Sequence, residues 1–161
     1  VQQAQYLSCM HRLLRTHGQH PHFLLLVKML DEELACIDGA EHAFYHQYNS
    51  VAAITHALVL YAHEEPVACG AIKQFDEHAV EVKRMYTVPQ HRGKGLAGKV
   101  LLALESWAQE LGYTHTVLET GKRQPDAIAL YKKWGYHIIP NYGQYAGVTN
   151  SVCFQKDLMS A

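Results

Sequence analysis

A short segment in the middle of the chain combines glycines with basic side chains, and this combination can bind an anion. The segment Gln90–Lys99 has the sequence QHRGKGLAGK, with three glycines and four basic or titratable side chains. Glycine lets a backbone turn tightly and approach a ligand closely. A helix that begins here would present unpaired N–H groups to negative charge. The segment therefore predicts a phosphate-binding loop, although the same small residues also suit a helix start that only packs against a sheet.

Two familiar phosphate-binding motifs match this segment in part. Gly93-x-Gly95-x-x-Gly98 satisfies the dinucleotide fingerprint, and Glu119 follows about twenty residues later. However, several residues separate the preceding strand from the first glycine, and the chain after Glu119 is too short for the second half of a dinucleotide domain. The P-loop pattern fails because Val100 stands where a Mg²⁺-binding Ser or Thr is required.

The segment lies between predicted strands and a predicted helix. Largely apolar or alternating runs at His56–Ala62, Val67–Phe75 and Ala79–Val88 are separated by turn residues, which is typical of an antiparallel meander. Leu96–Leu111 has apolar residues at helical spacing and is followed by Gly112. The glycine segment is therefore expected to connect the last strand of the meander to a long helix.

The rest of the chain adds a second strand–helix unit and two further strands. We predict a strand at His115–Glu119, a helix at Pro125–Trp134, and strands at Tyr136–Ile139 and Ser151–Lys156. Proline at the start of the second helix and Gly135 after its end support those boundaries. This order of elements indicates an α+β fold with a mixed sheet.

The first forty residues carry weaker signals. Residues 1–20 are predicted to form an N-terminal arm or peripheral helix, and residues 21–161 a single domain. Within that domain, Phe23–Lys28 predicts a short strand. A helix that ends near Gly39 is expected to follow it.

Composition excludes several classes of protein. The 161 residues carry a formal charge of −1, and 48% of them are apolar, which does not describe a disordered chain. The longest apolar run, Ala57–Ala62, is far shorter than the ~20 residues of a membrane-spanning helix. Near-neutral charge argues against nucleic-acid or anionic-membrane binding. We therefore expect a single-domain globular protein with no nucleic-acid or membrane partner.

Metal and redox chemistry also find little support in the sequence. The 12 histidines include only one i, i+4 pair, His42 and His46, and no Glu follows His42 as the His-Glu-x-x-His motif requires. The four cysteines are far apart and form no Cys-x-x-Cys pair. We expect no metal site, and the absence of a secretory signal favours reduced thiols and a cytoplasmic location.

The pattern Gln90-x-x-Gly93-x-Gly95 after a strand resembles the acyl-CoA pyrophosphate loop of the GNAT N-acetyltransferase superfamily. Residues 81–95 (EVKRMYTVPQHRGKG) resemble the family's fourth strand and its loop. Residues 124–136 (QPDAIALYKKWGY) resemble its second motif, N-x-x-A-x-x-L-Y-x-x-x-G-F, with Gln and Tyr in place of Asn and Phe. The resemblance extends from about residue 23 to residue 158. It implies a GNAT fold, in which helices flank a mixed, mostly antiparallel central sheet that is splayed between the fourth and fifth strands.

The resemblance also implies acetyl-CoA as cosubstrate, with its pyrophosphate on the loop and its pantetheine along the end of the fourth strand. An amide near Val88 would polarise the thioester carbonyl, and Lys122–Arg123 or Lys132–Lys133 would meet the 3′-phosphate end of coenzyme A. The residues implied in cofactor binding are Tyr86, Thr87, Val88, Gln90, His91, Arg92, Gly93, Lys94, Gly95, Leu96, Ala97, Gln124 and Tyr131.

Acetyl transfer to an amine requires two proton movements, because an ammonium must lose a proton before it attacks and the departing thiolate must gain one. By resemblance, Tyr131 is the candidate general acid. Glu81, Glu119 or an ordered water is the candidate base. Simple alternation along the strand places Glu81 and Val88 on opposite faces, unless a bulge lies between them.

The resemblance implies an acetyl-CoA-dependent N-acetyltransferase that acts directly on a primary amine of a small molecule. A protein or peptide N-acetyltransferase and a non-catalytic acyl-CoA-binding module remain alternatives. The expected partners are coenzyme A and the amine, and a homodimer is plausible. An amino acid, a polyamine, an aminoglycoside-like drug and a peptide N-terminus all remain open as acceptors. Selectivity is expected from Asp31, Glu33, Asp38, His42, Phe44, Tyr45, Tyr48, Tyr142, Tyr145 and Asn150.

Overall fold

A seven-stranded sheet organises the protein in the computed structural model, which describes residues 11–159. The order of the strands is β1-β2-β3-β4-β5-β7-β6, and every neighbouring pair is antiparallel except β4–β5. The α+β class and the mixed, mostly antiparallel sheet are thereby confirmed. The strands are β1 His11–Thr16, β2 His56–Ala62, β3 Glu65–Gln74, β4 Ala79–Thr87, β5 His115–Gly121, β6 His137–Ile139 and β7 Ser151–Asp157.

Four α-helices accompany the sheet in the described part of the chain. Residues 67–72 of β3 are all buried, so both faces of the sheet are covered at this strand. None of the helices within residues 11–159 is long and apolar enough to cross a membrane. The helices are α1 Pro21–Asp38, α2 His42–His46, α3 Leu96–Glu110 and α4 Pro125–Lys133, and short 3-10 turns occupy Gly39–Glu41, Pro89–His91 and Gly143–Tyr145.

The helix considered for the first twenty residues is wrong for residues 11–16, which form the edge strand β1. This strand pairs with β2 from His11 opposite Ala62 to Thr16 opposite Ala57. Leu13 and Leu14 are consecutive residues of β1, so their side chains point to opposite faces of the sheet, and Leu13 is exposed. Residues 1–10 lie outside the described residues.

The short strand expected at Phe23–Lys28 is also wrong, because these residues belong to the continuous helix α1. The buried positions 23, 26, 27 and 30 follow helical spacing, whereas Leu24 and Leu25 are exposed. Pro21 starts the helix, and Nδ1 of His20 accepts a hydrogen bond from the backbone N–H of His22 at 3.2 Å. Because Leu24 and Leu25 are apolar although they are exposed, the sequence here has the uniformly apolar pattern of a strand.

A β-bulge and an early end to strand pairing shape β4. Cys69 lies opposite Tyr86 while Ala71 lies opposite Lys83, so β4 contains one extra residue, and Arg84 there has a φ of 59°. The parallel pairing of β4 with β5 extends only from Ala79 to Glu81, after which the strands diverge. The splay expected between the fourth and fifth strands is therefore confirmed.

A buried polar network ties the segment after α4 to α3 and β7. The Tyr136 hydroxyl donates to Glu105 Oε2 at 3.0 Å and lies 2.8 Å from the Thr116 hydroxyl. Lys156 Nζ donates to the other oxygen of Glu105 at 2.7 Å. Because buried polar groups are costly unless they are hydrogen-bonded, this network fixes the position of the C-terminal end of α4.

Candidate functional site

The glycine loop joins β4 to α3 at the mouth of the splay. Gly93 and Gly95 have φ values of 77° and 78°, a region that side chains with a Cβ rarely adopt. Gly95 is the N-cap of α3, and no side chain caps this helix start. The buried side chains of Leu96 and Val100 anchor the helix against the core. The amides of the first turn therefore face the loop without a side-chain acceptor, as an anion site requires.

Arg92 holds the loop in place. Its Nε donates to the Thr87 carbonyl at 2.8 Å, and its two terminal nitrogens donate to the two Glu33 oxygens at 3.0 and 2.9 Å. The guanidinium also lies over the Tyr86 ring at 5.5 Å. A two-point Arg–carboxylate pair has a defined geometry, so Arg92 connects the loop to α1 and to the end of β4.

The end of β4 presents one open backbone edge to the splay. The Val88 N–H donates to the Val67 carbonyl at 2.9 Å, so the amide expected to polarise a thioester is already used. Thr87 lies opposite Ala68 in the same ladder. Because N–H groups alternate in direction along a strand, the Thr87 N–H points away from β3 and towards the splay. The available donor is therefore at Thr87, one residue earlier than expected.

A cleft of about 130 Å³ opens where β4 and β5 separate. The candidate residues Glu81, Glu119, Gln124 and Tyr131 line it together with the bulge of β4. Glu81 and Val88 lie on the two sides of this bulge, which reverses simple alternation and allows both to face the same side of the sheet. The other lining residues are Leu30, Leu34, Asp38, Tyr45, Asn49, Val82, Lys83, Arg84, Met85, Thr120, Gly121, Ala127 and Tyr145.

Glu119 is the cleft carboxyl whose protonation is most altered. Burial raises the pKa of Glu119 to about 7, and the nearby charges of Glu81 and Asp38 act in the same direction. The Ser151 hydroxyl and the charge of Lys83 oppose this rise in pKa. Glu119 is therefore partly protonated at neutral pH, which suits a group that accepts and releases a proton.

Glu81 is held by two neighbours. One of its oxygens accepts a hydrogen bond from the Tyr142 hydroxyl at 2.6 Å, and the other lies 3.2 Å from Lys83 Nζ. Lys83 Nζ also donates to the Tyr48 carbonyl at 3.0 Å. Both Glu81 oxygens are thus engaged. Through Tyr142 the carboxylate connects β4 to residues 140–150, which we call the late loop. Through Lys83 it is connected to the segment after α2.

Tyr131 lines the cleft from α4 and is 6% exposed. Its ring lies 5.7 Å from the Tyr136 ring and 6.0 Å from the Phe154 ring. Burial, reinforced by the charge of Glu119, holds the pKa of Tyr131 well above its usual value. The phenol is therefore protonated at neutral pH and retains a proton that it can donate.

Aromatic side chains from α2 and from the turn Gly143–Tyr145 line part of the cleft. The Tyr45 hydroxyl lies 3.1 Å from the Ser151 hydroxyl and accepts a hydrogen bond from Asn150 Nδ2 at 3.1 Å. The Tyr45 and Tyr145 rings stack at 6.4 Å. Asp38 also lines the cleft, and burial raises its pKa against the opposing charge of Arg123.

Seven of the ten residues expected to select the acceptor do not line the cleft, whereas Asp38, Tyr45 and Tyr145 do. Asp31 forms an ion pair with the Arg84 side chain, and Glu33 pairs with Arg92, partners that the sequence alone does not show. His42 lies against a different surface pocket, and its ring packs on His46 at 5.2 Å. The other four contact Tyr45, Tyr145 or Glu81 without lining the cleft themselves; they are Phe44, Tyr48, Tyr142 and Asn150.

Sequence reasoning missed Lys83, Arg84 and Ser151. Lys83 and Arg84 are charged residues inside an otherwise apolar strand, and this pattern is itself a signal of buried ion pairs. Arg84 is only 2% exposed as a side chain, and its Nε has no hydrogen-bond partner among the described residues. Ser151 carried no such signal, because only the pairing of β7 with β5 places it near Glu119. Residues 11–159 contain no group of three or more His, Cys, Asp or Glu side chains arranged to hold a metal ion.

Sequence comparisons identify relatives that share this region. Residues 22–136 match the model of the Acetyltransferase (GNAT) family. YsnE of Bacillus subtilis, named as an uncharacterized N-acetyltransferase, is 34% identical over 97 residues, which cover 59% of this chain and 64% of that protein. The IAA acetyltransferase of Azospirillum brasilense is 37% identical over 93 residues, which cover 57% of this chain and 61% of that protein. The chain therefore spans somewhat less than two thirds of the curated relatives it matches.

Solved structures share the whole architecture. A Klebsiella pneumoniae protein described as an acyl-CoA N-acyltransferase superposes with a TM-score of 0.79 at 30% identity, over 93% of this chain and 99% of that one. A GNAT family acetyltransferase from Elizabethkingia anophelis, solved with acetyl-CoA bound, superposes with a TM-score of 0.66 at 15% identity over the same shares of the two chains. The expected family is confirmed: this chain belongs to the GNAT acetyltransferase family.

Proposed function

We propose that the protein is an acetyl-CoA-dependent N-acetyltransferase that transfers the acetyl group directly to a small amine. The observation that carries the proposal is the divergence of β4 from β5, which opens a cleft lined by Glu119 and Tyr131, while β4 continues beyond the cleft into the glycine loop. The name of YsnE as an N-acetyltransferase and the name of the Azospirillum relative as an acetyltransferase support the reaction class. The acetyl-CoA in the Elizabethkingia structure and the coenzyme A in a Thermoplasma acidophilum relative support the cosubstrate.

The backbone supplies the binding groups for acetyl-CoA. The pyrophosphate would lie on the amides between Gly93 and Ala97, because several N–H groups at a helix start form charge-assisted bonds to an anion. The pantetheine would extend along the open edge of β4, as an added strand does. The Thr87 N–H would then donate to the thioester oxygen, a contact commonly worth about 10²–10³ in rate.

Side chains of the cleft account for the protons. The ammonium of the acceptor gives a proton to Glu119, which passes it to solvent, and the free amine attacks the acetyl carbonyl. As the tetrahedral intermediate collapses, the C–S bond breaks and the thiolate takes the proton of Tyr131. The new amide nitrogen returns a proton to Tyr131. The pKa of about 7 for Glu119 supports its role as acceptor of the first proton.

Direct transfer is favoured over an acyl-cysteine intermediate. Cys153, opposite Glu119 in the sheet, is buried, and its pKa is raised to about 11. Burial also raises the pKa of Cys69 to about 12. Both thiols are thus protonated at neutral pH, whereas the nucleophile of an acyl-cysteine route is a thiolate. This property supports a ternary complex in which amine and acetyl-CoA are bound together.

The lining of the cleft favours a small acceptor with a positive charge. Tyr45 and Tyr145 line the cleft, and aromatic faces attract cations. Asp38 adds a carboxylate to the same lining. The volume of about 130 Å³ suits a small molecule, so we favour a small amine over a protein lysine.

Thiol release from acetyl-CoA in the presence of single amines tests the proposal. The panel contains amino acids, polyamines, aminoglycosides and peptides with a free N-terminus, and mass spectrometry identifies the product. We expect amine-dependent thiol release with at least one small cationic amine, and the matched variant Glu119→Gln should lose this release. Acetyl-CoA binding without thiol release across the panel would favour a non-catalytic module, and release with peptides alone would assign a peptide acceptor.

A further inference from the structure

A group of imidazole and ammonium side chains lies next to the glycine loop, outside the cleft. We call it the histidine–lysine cluster, and it is drawn from three separate segments of the chain. One member begins β1, one lies in the turn between β2 and β3, two lie between β4 and α3, and one lies in the first turn of α3. The members are His11, His63, His91, Lys94 and Lys99.

Strand register brings these segments to one end of the sheet. His11 pairs with Ala62, the last residue of β2, and His63 follows directly. Ala68 near the start of β3 pairs with Thr87 at the end of β4, so the turn that contains His63 and the loop after β4 lie at the same end. The start of α3 completes the arrangement, because Lys99 Nζ lies 3.2 Å from His11 Nδ1.

The turn that presents His63 has an unfavourable backbone. His63 and Glu64 have φ values of 51° and 64°, and both are non-glycine residues in the left-handed region. Such residues cost of order 1 kcal/mol each and persist where surrounding contacts hold them. Glu64 is held by Arg12 at 3.0 Å, in an exposed ion pair. The carboxylate of this turn is therefore engaged with Arg12, while the charge of His63 acts on His11.

The cluster has an excess of positive charge and lacks an anionic partner among the described residues. The pKa of His11 is lowered by its partial burial and by the charges of Lys99, His63, His91 and Lys94. With its Nδ1 accepting from the Lys99 ammonium, His11 is a neutral imidazole with its proton on Nε2. The cluster can thus offer several hydrogen-bond donors to one anion. The charge of that anion must offset the repulsion between the positive side chains of the cluster.

We propose that the histidine–lysine cluster binds the ribose 3′-phosphate of coenzyme A. This assignment rests on the proposed function, because it places the diphosphate of the same molecule on the neighbouring loop. Two of the four residues expected from the sequence to meet this phosphate have other partners. Arg123 donates to Glu41 at 2.6 Å, and Lys133 Nζ lies 5.9 Å from the centre of the Trp134 ring.

Binding of this phosphate should be coupled to protonation. A phosphate monoester has a second pKa of about 6 and is mostly a dianion at neutral pH. A dianion next to His11 raises the pKa of His11, which the free protein holds below its usual value. Complex formation near neutral pH should therefore take up protons. Molecules without the 3′-phosphate should bind without this uptake.

Calorimetry with coenzyme A and dephospho-coenzyme A tests the proposal. Titrations at pH 7 in two buffers of different ionisation enthalpy give both the affinity and the number of protons taken up. We expect coenzyme A to bind about tenfold more tightly, with proton uptake, while dephospho-coenzyme A binds without it. Adenosine 3′,5′-bisphosphate should compete with coenzyme A, and adenosine 5′-phosphate should compete more weakly.

Variants identify the groups responsible. His11→Gln, His63→Gln and Lys99→Gln should each reduce the difference between the two ligands, while the exposed histidine variant His137→Gln on edge strand β6 should preserve it. Thermal unfolding of each variant checks that β1 remains folded. Equal affinities of the two ligands in the unaltered protein, without proton uptake, would overturn the cluster assignment and leave the proposed function standing. Failure of both ligands to bind would contradict the proposed function itself.

Discussion

The two parts of the proposed active site are built in different ways. The proposed cofactor site is a continuous stretch of chain, residues 86–97, in which backbone amides and two glycines with positive φ would provide the binding groups. The proposed acceptor site is the cleft itself, which is assembled from side chains on α1, α2, β4, β5 and the late loop. A local backbone site can be recognised from a short motif, whereas an assembled site depends on contacts between distant residues.

Charged residues in and around the cleft are not equally available to a substrate. Asp31, Glu33 and Glu81 are each engaged by a neighbouring Arg or Lys. Glu119 is different, because burial and neighbouring carboxylates raise its pKa to about 7. We therefore propose that Glu119 transfers the proton and that Glu81 positions Tyr142 and Lys83.

The largest effect is expected from a β-branched residue in the loop. Gly93→Val places a Cβ at a φ of 77° and should weaken coenzyme A binding more than about 100-fold, because the loop amides can no longer converge. Gly112→Val is the matched control, since Gly112 has a φ of 93° and equally open surroundings at the other end of α3. Calorimetry should show a binding loss for the first variant alone. Equal losses in both would assign the effect to general destabilisation.

Substitution of the two cleft carboxyls separates the proposed base from the positioning residue. Glu119→Gln should reduce kcat/KM by about 10²–10³, since no side chain then accepts the ammonium proton. In the unaltered protein kcat/KM should rise with pH through about 7, the pKa of Glu119. Glu81→Gln should retain this inflection while changing KM for the amine, because the Tyr142 contact is weakened. A pH profile that loses its inflection in Glu81→Gln and keeps it in Glu119→Gln would reverse the two roles.

Removal of one hydroxyl tests the proton donor. Tyr131→Phe should lower kcat by about 10²-fold with little change in affinity for coenzyme A, because the ring packing is kept and only the donated proton is lost. Tyr136→Phe removes a hydroxyl that bonds Glu105 and Thr116, so it should lower the free energy of unfolding by about 1–2 kcal/mol and leave kcat nearly unchanged. Steady-state kinetics together with urea unfolding distinguish these outcomes. Full activity of Tyr131→Phe would remove Tyr131 as the donor.

The raised pKa of Glu119 also has a consequence for stability. A carboxyl whose pKa is near 4.5 in the unfolded chain and about 7 in the folded protein binds protons more tightly when folded. The free energy of unfolding should therefore fall by about 2–3 kcal/mol as the pH rises from 4.5 to above 7. Glu119→Gln lacks this decrease, so the variant should gain stability relative to the unaltered protein as the pH rises. Urea unfolding of both proteins at pH 5 and pH 8 measures the difference between their free energies of unfolding. If this difference is the same at both pH values, Glu119 is not buried as described.

The sequence was sufficient for the meander, the glycine loop and α3, because their patterns are local. It did not predict β1 or the first part of α1, because exposed Leu24 and Leu25 concealed the helical spacing of α1 and the adjacent apolar pair Leu13–Leu14 concealed β1. It located Glu119 and Tyr131 through a resemblance, but the raised pKa of Glu119 depends on burial that only the folded chain creates. The ion pair of Asp31 with Arg84 joins residues far apart in the sequence, which no local pattern predicts.

A crystal structure of the protein with coenzyme A tests the central claim most directly. The account predicts the pyrophosphate on the amides of residues 93–97, the pantetheine along the open edge of β4, and the sulfur within contact of the Tyr131 hydroxyl. A sulfur atom directed away from both Tyr131 and Glu119, or coenzyme A bound outside the splay of β4 and β5, would contradict it.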